Sequence, residues 1–352
     1  KSGIQYQRLF AKPEAIVTTL TFEAALKSMN SVDVTFLKLT LGDFSLNVSG
    51  TVTNFAAPVL DLKVSSNEFP LEKLFALFPE LSQAAGANKP VLASGGTGIL
   101  NASAKGPIDD LAVQLVVNLD KSNLEYGDMF RKHLQSPGNL TIEAHLGKDA
   151  VSIGKFLLQL GNLQLTSTGK VENFAQPQLD LTIDTNLFEI ANLLEHLPIA
   201  QASLPPELKL GGAGKLHLTS SGSLEDITVT GSVDMSKGEI VFGEYFKKPK
   251  DIPGILEFDT TLKKMDTVEI RRVRLNLNDV LLDITGLISG LQQKQEALLD
   301  LTVKSNKFAL NQLRPIQGMK IDPTGMMELD LAIKTPLAKI DPASLVAGTL
   351  RL

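Results

Sequence analysis

The side chains that could carry chemistry are few. Four histidines, His133, His145, His196 and His217, stand far apart and share no metal-ligand spacing. Cysteine is absent, which removes thiolate nucleophiles, sulfur ligands and any disulfide framework. Two acidic pairs recur, Asp109-Asp110 and Glu225-Asp226, each just after a glycine. That setting is a turn, where an aspartate bonds its own backbone; acid–base work would need such a pair in a concave pocket. The clusters Gly95–Gly98 and Gly211–Gly214 lead into strands and lack the Lys-Ser/Thr ending of a phosphate loop, so they read as loop ends. No nucleophile, base and stabiliser can be assembled from these residues. The expectation is a protein that is not an enzyme, with no catalytic residue, no metal and no cofactor.

One group is basic. Lys247, Lys248 and Lys250 are followed by Lys263, Lys264, Arg271, Arg272 and Arg274. Such a run is ordinarily a solvated face. Its functional reading is a set of contacts for lipid phosphates or an anionic partner, with Lys247, Lys248, Lys250, Arg271 and Arg272 as the candidate headgroup contacts. Elsewhere the balance is mildly acidic, with 34 Lys+Arg against 39 Asp+Glu. A net charge of −5 gives no general attraction to nucleic acid, and no nucleic-acid partner is expected.

The elements that position these residues are repeated. The stretch L-D-L-K-V-S-S-N-E-F at Leu60–Phe69 returns as L-D-L-T-I-D-T-N-L-F at Leu179–Phe188 and as L-D-L-T-V-K-S-N-K-F at Leu299–Phe308, a period of about 120 residues. Upstream, Gly50, Val52, Asn54, Phe55, Ala56 and Pro58 match Gly169, Val171, Asn173, Phe174, Ala175 and Pro177. Side chains alternate along a strand, so Leu60, Leu62 and Val64 share one face and Asp61, Lys63 and Ser65 the other. Asn67, Asn186 and Asn306 are placed to cap short helices, expected over 71–78 and 188–197, with Glu189 in the capping-box position. Pro198 reads as a helix stop, and residues 82–94 read as an exposed connection.

A second unit begins at Gly95–Gly98 and turns through Gly106-Pro107-Ile108-Asp109-Asp110-Leu111. It recurs from Gly211 through Gly222-Ser223-Leu224-Glu225-Asp226-Ile227, and again, cut short, from Pro323. Strand follows strand at roughly ten-residue spacing, the pattern of an antiparallel meander. The organisation expected is a partial repeat over 1–94, full repeats over 95–210 and 211–322, and the start of another over 323–352. No run of apolar residues is long enough to span a bilayer, and the sequence, opening at Lys1, reads as a fragment whose anchor lies outside it.

So many strands with one apolar face need a cover that three short helices do not provide. Periodicity allows a closed sandwich or barrel and equally an open trough, because both demand the same alternation. The repeated strand and helix, the preceding S-G-x-V-x-N-F-x-x-P and the G-x-[I/L]-[D/E]-D-[L/I] turn together resemble the AsmA-like family of bacterial envelope proteins, the relatives of TamB. The likeness runs over essentially the whole chain.

What the resemblance implies is a mainly β fold: an elongated antiparallel sheet of repeated units curved into a hydrophobic groove, with short helices between repeats. It implies a lipid-transfer protein in the periplasm, anchored to the inner membrane, with phospholipid as cargo and outer-membrane components as further partners. The lipid-binding floor would be Leu60, Leu62, Val64, Val113, Leu115, Val117, Leu163, Leu165, Leu179, Leu181, Ile183, Leu216, Leu218, Leu299, Leu301 and Val303. Two rival functions fit the same pattern: an assembly factor for outer-membrane β-proteins that works by strand addition, and a passive β-rod with a closed core.

Overall fold

A computed structural model describes residues 4–6, 10–12, 14–77, 92–243, 246–292, 297–313, 324–336 and 347–351. Strand dominates, in one long antiparallel sheet that stays open and does not close into a barrel. The chain divides into two compact units, Lys1–Thr168 with Asn192–Ser203, and Gly169–Ala191 with Leu204–Leu352.

In the first unit the ladder runs Thr18–Ser28, Ser31–Leu41, Phe44–Thr53, Val59–Ser66, Leu92–Pro107, Asp110–Asn118, Gly138–Gly147 and Ala150–Leu160. In the second it runs Gln178–Thr185, Leu208–Ser223, Asp226–Asp234, Gly254–Lys263, Thr267–Leu277, Val280–Ser289, Leu298–Ser305, Met326–Pro336 and Ala347–Arg351. Every pairing here is antiparallel, and most of these neighbours are joined by turns too short for a parallel crossover.

The glycine clusters are not loop ends. Gly95–Gly98 lies inside the strand Leu92–Pro107, and Gly211–Gly214 inside Leu208–Ser223. Gly96 and Gly212 take φ +75° and +69°, and this twist lets each long strand change partners midway. The first half of Leu92–Pro107 pairs with Ser122–Tyr126 and the second half with Asp110–Asn118. The expected connection over 82–94 accordingly ends by Leu92, and its earlier residues lie outside the described ones.

The helices are shorter than expected: Leu71–Phe75, Ile190–His196 and Pro198–Ser203. The helix Ile190–His196 stops before Pro198 as expected, and Pro198 itself opens the next one, as a residue without an N–H can at the first helical position. Glu189 belongs to a two-residue strand, and Asn67 and Asn306 bond turns far along the chain. The N-cap of Leu71–Phe75 is Pro70, while Asn67 accepts the Ser45 N–H at 2.8 Å and donates to the Asp43 carbonyl at 2.8 Å. Asn306 does the same to Leu281 N–H and Asp279 carbonyl at 2.9 Å each. Each ties the end of its strand to a neighbouring turn, a distant partner that local sequence cannot reveal.

The phenylalanine two residues beyond each of these asparagines is buried: Phe69, Phe188 and Phe308 are 2%, 7% and 3% exposed. Phe69 meets Phe44 edge to face at 4.8 Å and joins Leu71 in a small core beside the first helix. One rim of the first unit is thus closed by a hydrophobic plug.

A β-bulge recurs in mid-strand. Register slips between Val34 and Leu37, between Ala144 and Glu143 opposite Gly154, and between Ile270 and Val273. Such an extra residue bends the sheet and raises its twist. Beside two of the slips sit Gly50 and Gly286, paired with Val34 and Ile270. Their φ values, and that of Gly169, are +131°, +141° and +135°. A Cβ on Gly50, Gly169 or Gly286 would stand 2.0–2.1 Å from the carbonyl oxygen of Asp61, Asp180 or Asp300. The repeated glycine of the S-G-x-V motif is therefore obligatory twice over, in dihedral and in space.

Gly286→Ala is expected to destabilise the chain by roughly 2–4 kcal/mol, from backbone strain plus displacement of the neighbouring strand. Gly211→Ala, where nothing stands within 4 Å, should change stability by under about 0.5 kcal/mol. Urea unfolding of the two variants, read by circular dichroism, checks the difference.

Candidate functional site

Partnered residues of an antiparallel ladder point to the same face. In the first unit Leu60, Leu62 and Val64 are partnered by Val52, Gly50 and Val48 on one side and by Gly106, Ala104 and Ala102 on the other. The row continues through Val113, Leu115 and Val117 to Ala144, Ile142 and Leu140. In the second unit Leu179, Leu181 and Ile183 join Gly222, Ser220 and Leu218, and Leu216 joins Val233. Leu299, Leu301 and Val303 join Ile288, Gly286 and Ile284. Leu163 and Leu165 share one face of their strand, Leu163–Glu172. Each unit thereby gathers its share of the predicted floor on a single apolar face.

That face is not the inside of a core. Leu163 and Leu299 are buried, at 5% and 6% exposed, and the other floor residues are half-buried. A residue pressed under a second layer loses nearly all contact with water, so half-burial marks a face shielded only by its neighbours. Alternation missed some members: Ile142, Leu256, Phe258, Val273 and Leu275 lie in the same rows. The signal was there in the spacing, but it slips by one residue at each bulge and so breaks a strict count of two.

The opposite face is polar and locally hollowed. Depressions of about 610, 330 and 170 Å³ lie on it. A bulge residue stands in the wall of each: Thr35 and Phe36 in the first, Gly154 in the second, Arg272 in the third. An extra residue disturbs the regular ladder at each of these places.

The predicted headgroup cations need correction at one position. Lys248 is 1% exposed, and its ammonium donates to the carbonyls of Gly238 at 2.8 Å and Pro249 at 3.3 Å. It cannot reach a headgroup. Lys132 is its counterpart, 1% exposed and donating to Ser122 at 2.7 Å and His133 at 3.2 Å. Gly254 and Gly138 make room, since a Cβ there would lie 2.4 and 2.1 Å from the lysine Cε. Each lysine braces its own small lateral hairpin, whose second strand is Phe130–Lys132 or Phe246–Lys248, and lies against the glycine that opens the next ladder strand.

Arg271 donates through Nε to Asp259 at 2.9 Å, and Arg272 lies 3.5 Å from Asp283. Arg274 grips Asp283 with two bonds of 2.7 and 2.8 Å, holding that carboxyl below its usual range. Lys247 lies 3.7 Å from Glu239, and Lys250 is exposed. By register Arg272 and Arg274 share the polar face with Asp259 and Asp283, so these charges neutralise one another away from the apolar floor.

The histidines also have partners. His217 meets Asp184 at 2.7 Å, His133 meets Glu195 at 3.4 Å, His145 meets Asp110 at 3.8 Å, and the buried His196 bonds the Arg131 carbonyl at 2.8 Å. Nothing in the sequence pointed to the rim opposite the plug. There the turn tips of the first unit expose Met29 (91%), Phe55 and Ile108, and those of the second expose Phe174, Leu224 and Met265.

Burial pushes Lys132 and Lys248 below the ordinary value of 10.5, partly offset by Asp120 and by Asp234 and Asp251. Between the lowered folded pKa and 10.5 the unfolded chain binds more protons, so stability rises with pH there. Lys73, Lys263 and Lys334, raised by hydrogen bonds to Asp43, Glu269 and Asp300, act in the opposite sense and only above 10.5. The urea midpoint should therefore climb as pH approaches 10. A Lys132→Met/Lys248→Met double variant should lose that climb.

No known protein family, curated protein or solved structure matches this chain.

Proposed function

We propose that the protein carries phospholipid acyl chains along the apolar face of its sheet. The observation that supports this is the half-buried state of that face in both units, Leu60, Leu115, Leu181 and Leu301 included, with no second layer over it among the described residues. Each CH₂ taken out of water is worth about 0.8 kcal/mol, so a sixteen-carbon chain meets a barrier of roughly 12 kcal/mol in crossing water unaided. A row of Leu, Val and Ile removes most of that barrier without any shaped pocket, and the headgroup stays in water. The setting that goes with this reading is the periplasm of a double-membraned bacterium. There, anchored to the inner membrane, such a protein would support outer-membrane lipid homeostasis.

A second reading has one observation in its favour. Along Thr18–Ser28 every residue is exposed, Leu20, Phe22 and Leu26 by 57–65%, and among the described residues only Ser31–Leu41 pairs with it. An edge of that kind accepts a further strand, as an assembly factor for β-proteins would require.

Phospholipid is expected to co-purify with the protein, as found by organic extraction and mass spectrometry. Leu115→Glu and Leu181→Glu should each lower the bound amount at least five-fold while circular dichroism and the unfolding midpoint remain close to those of the parent. Retained lipid in both variants, or none in the parent, would count against the proposal. Photocrosslinking from Phe22 that captures polypeptide instead of lipid would favour the second reading.

A further inference from the structure

We propose that the largest hollow of the polar face is a binding site for an oligosaccharide. It lies wholly in the first unit, on the side of the sheet away from the apolar floor. Two cross-strand rows make its base. Thr35 and Phe36, the bulged pair, face Ser49, which is followed by Lys63, Ser103 and Gln114. The second row is Asn47, Ser65, Asn101 and Val116. The volume, about 610 Å³, is in the range of roughly 300–1,000 Å³ usual for small-molecule sites.

The chemistry of the lining selects the ligand. It holds no carboxylate and one cation, Lys63, which disfavours metal ions and polyanions. Hydroxyls and primary amides each donate and accept, matching a ligand whose groups do both. Strands about 4.8 Å apart repeat these groups at a spacing close to that of hydroxyls across a pyranose ring. Phe36, 38% exposed, and Val116, 39% exposed, offer apolar surface to the C–H face of such a ring. A sugar polymer with at most one acidic group in contact satisfies all of these features together.

The other repeats show what the same positions look like when they serve only the fold. Counterparts of Ser103 and Gln114 are Thr219 and Thr230, whose hydroxyls bond each other at 2.6 Å. The counterparts of Asn101 and Ser65 are His217 and Asp184, 2.7 Å apart, in the second copy. In the third they are Asp330 and Lys304, 3.3 Å apart. The counterpart of Asn47 is Asp283, gripped by Arg274. In the first copy the eight polar side chains of the two rows, Thr35 included, bond no other protein group. Their hydrogen-bonding capacity is turned outward around a hollow of about 610 Å³.

A glycan array, followed by calorimetric titration with chitotriose and cellotriose, tests this. Saturable binding to one glycan class is expected, weakened at least ten-fold by Phe36→Ala and by Gln114→Ala, both at exposed positions, and unchanged by Thr230→Ala. Three outcomes would overturn the proposal: no glycan bound by the folded parent, binding indifferent to both hollow substitutions, or loss of phosphatidylglycerol-vesicle binding as the only effect of those substitutions. The last would make the hollow a headgroup rest. Because the floor residues are untouched, co-purified lipid should be the same in all these variants, and this separates failure here from failure of the lipid-carrying role.

Discussion

An antiparallel ladder can satisfy its backbone sideways, strand to strand, without end, but it cannot cover its own apolar face. Every other feature of this chain follows from how that face is left. A sandwich would answer with a second sheet and a barrel by closing on itself. Here the ladder stays open, and the leucines and valines of one face shield one another only in part. At one rim of the first unit Phe44, Phe69 and Leu71 form a small core.

The second constraint is curvature. Long flat sheets are unusual, and this one is bent by an extra residue placed once in each repeat. The bend has two consequences on opposite faces. On the apolar side it demands a glycine beside the slip, since the neighbouring backbone occupies the place of a Cβ. On the polar side bulge residues stand in the walls of the hollows. What occupies them then depends on the local choice of residues: amides and serines in the first copy, hydroxyl pairs in the second, Arg–Asp pairs in the third.

Much of this was legible in the sequence, because alternation and a period of about 120 residues are both written in single letters. Strand faces could be read from Leu60-Asp61-Leu62 alone, and the register then gathered those faces as expected. What could not be read depends on partners far along the chain. Asn67 looks like a helix cap until Ser45 and Asp43 are seen beside it. Lys248 looks like a surface cation until the carbonyl of Gly238 and the missing side chain of Gly254 are found around it. The bulges left a trace that alternation counts discard: Val34 to Leu37 and Ile270 to Val273 are three residues apart where a regular strand would have two.

The two margins of the first unit are unlike. One is sealed by the phenylalanine plug and its helix, while the other ends in turns that hold Met29, Phe55 and Ile108 out into water. A body made this way has a built-in heel. At an oil–water boundary those methionine and phenylalanine tips gain by leaving water, so this margin carries a preference written into its turns and not into any shaped site.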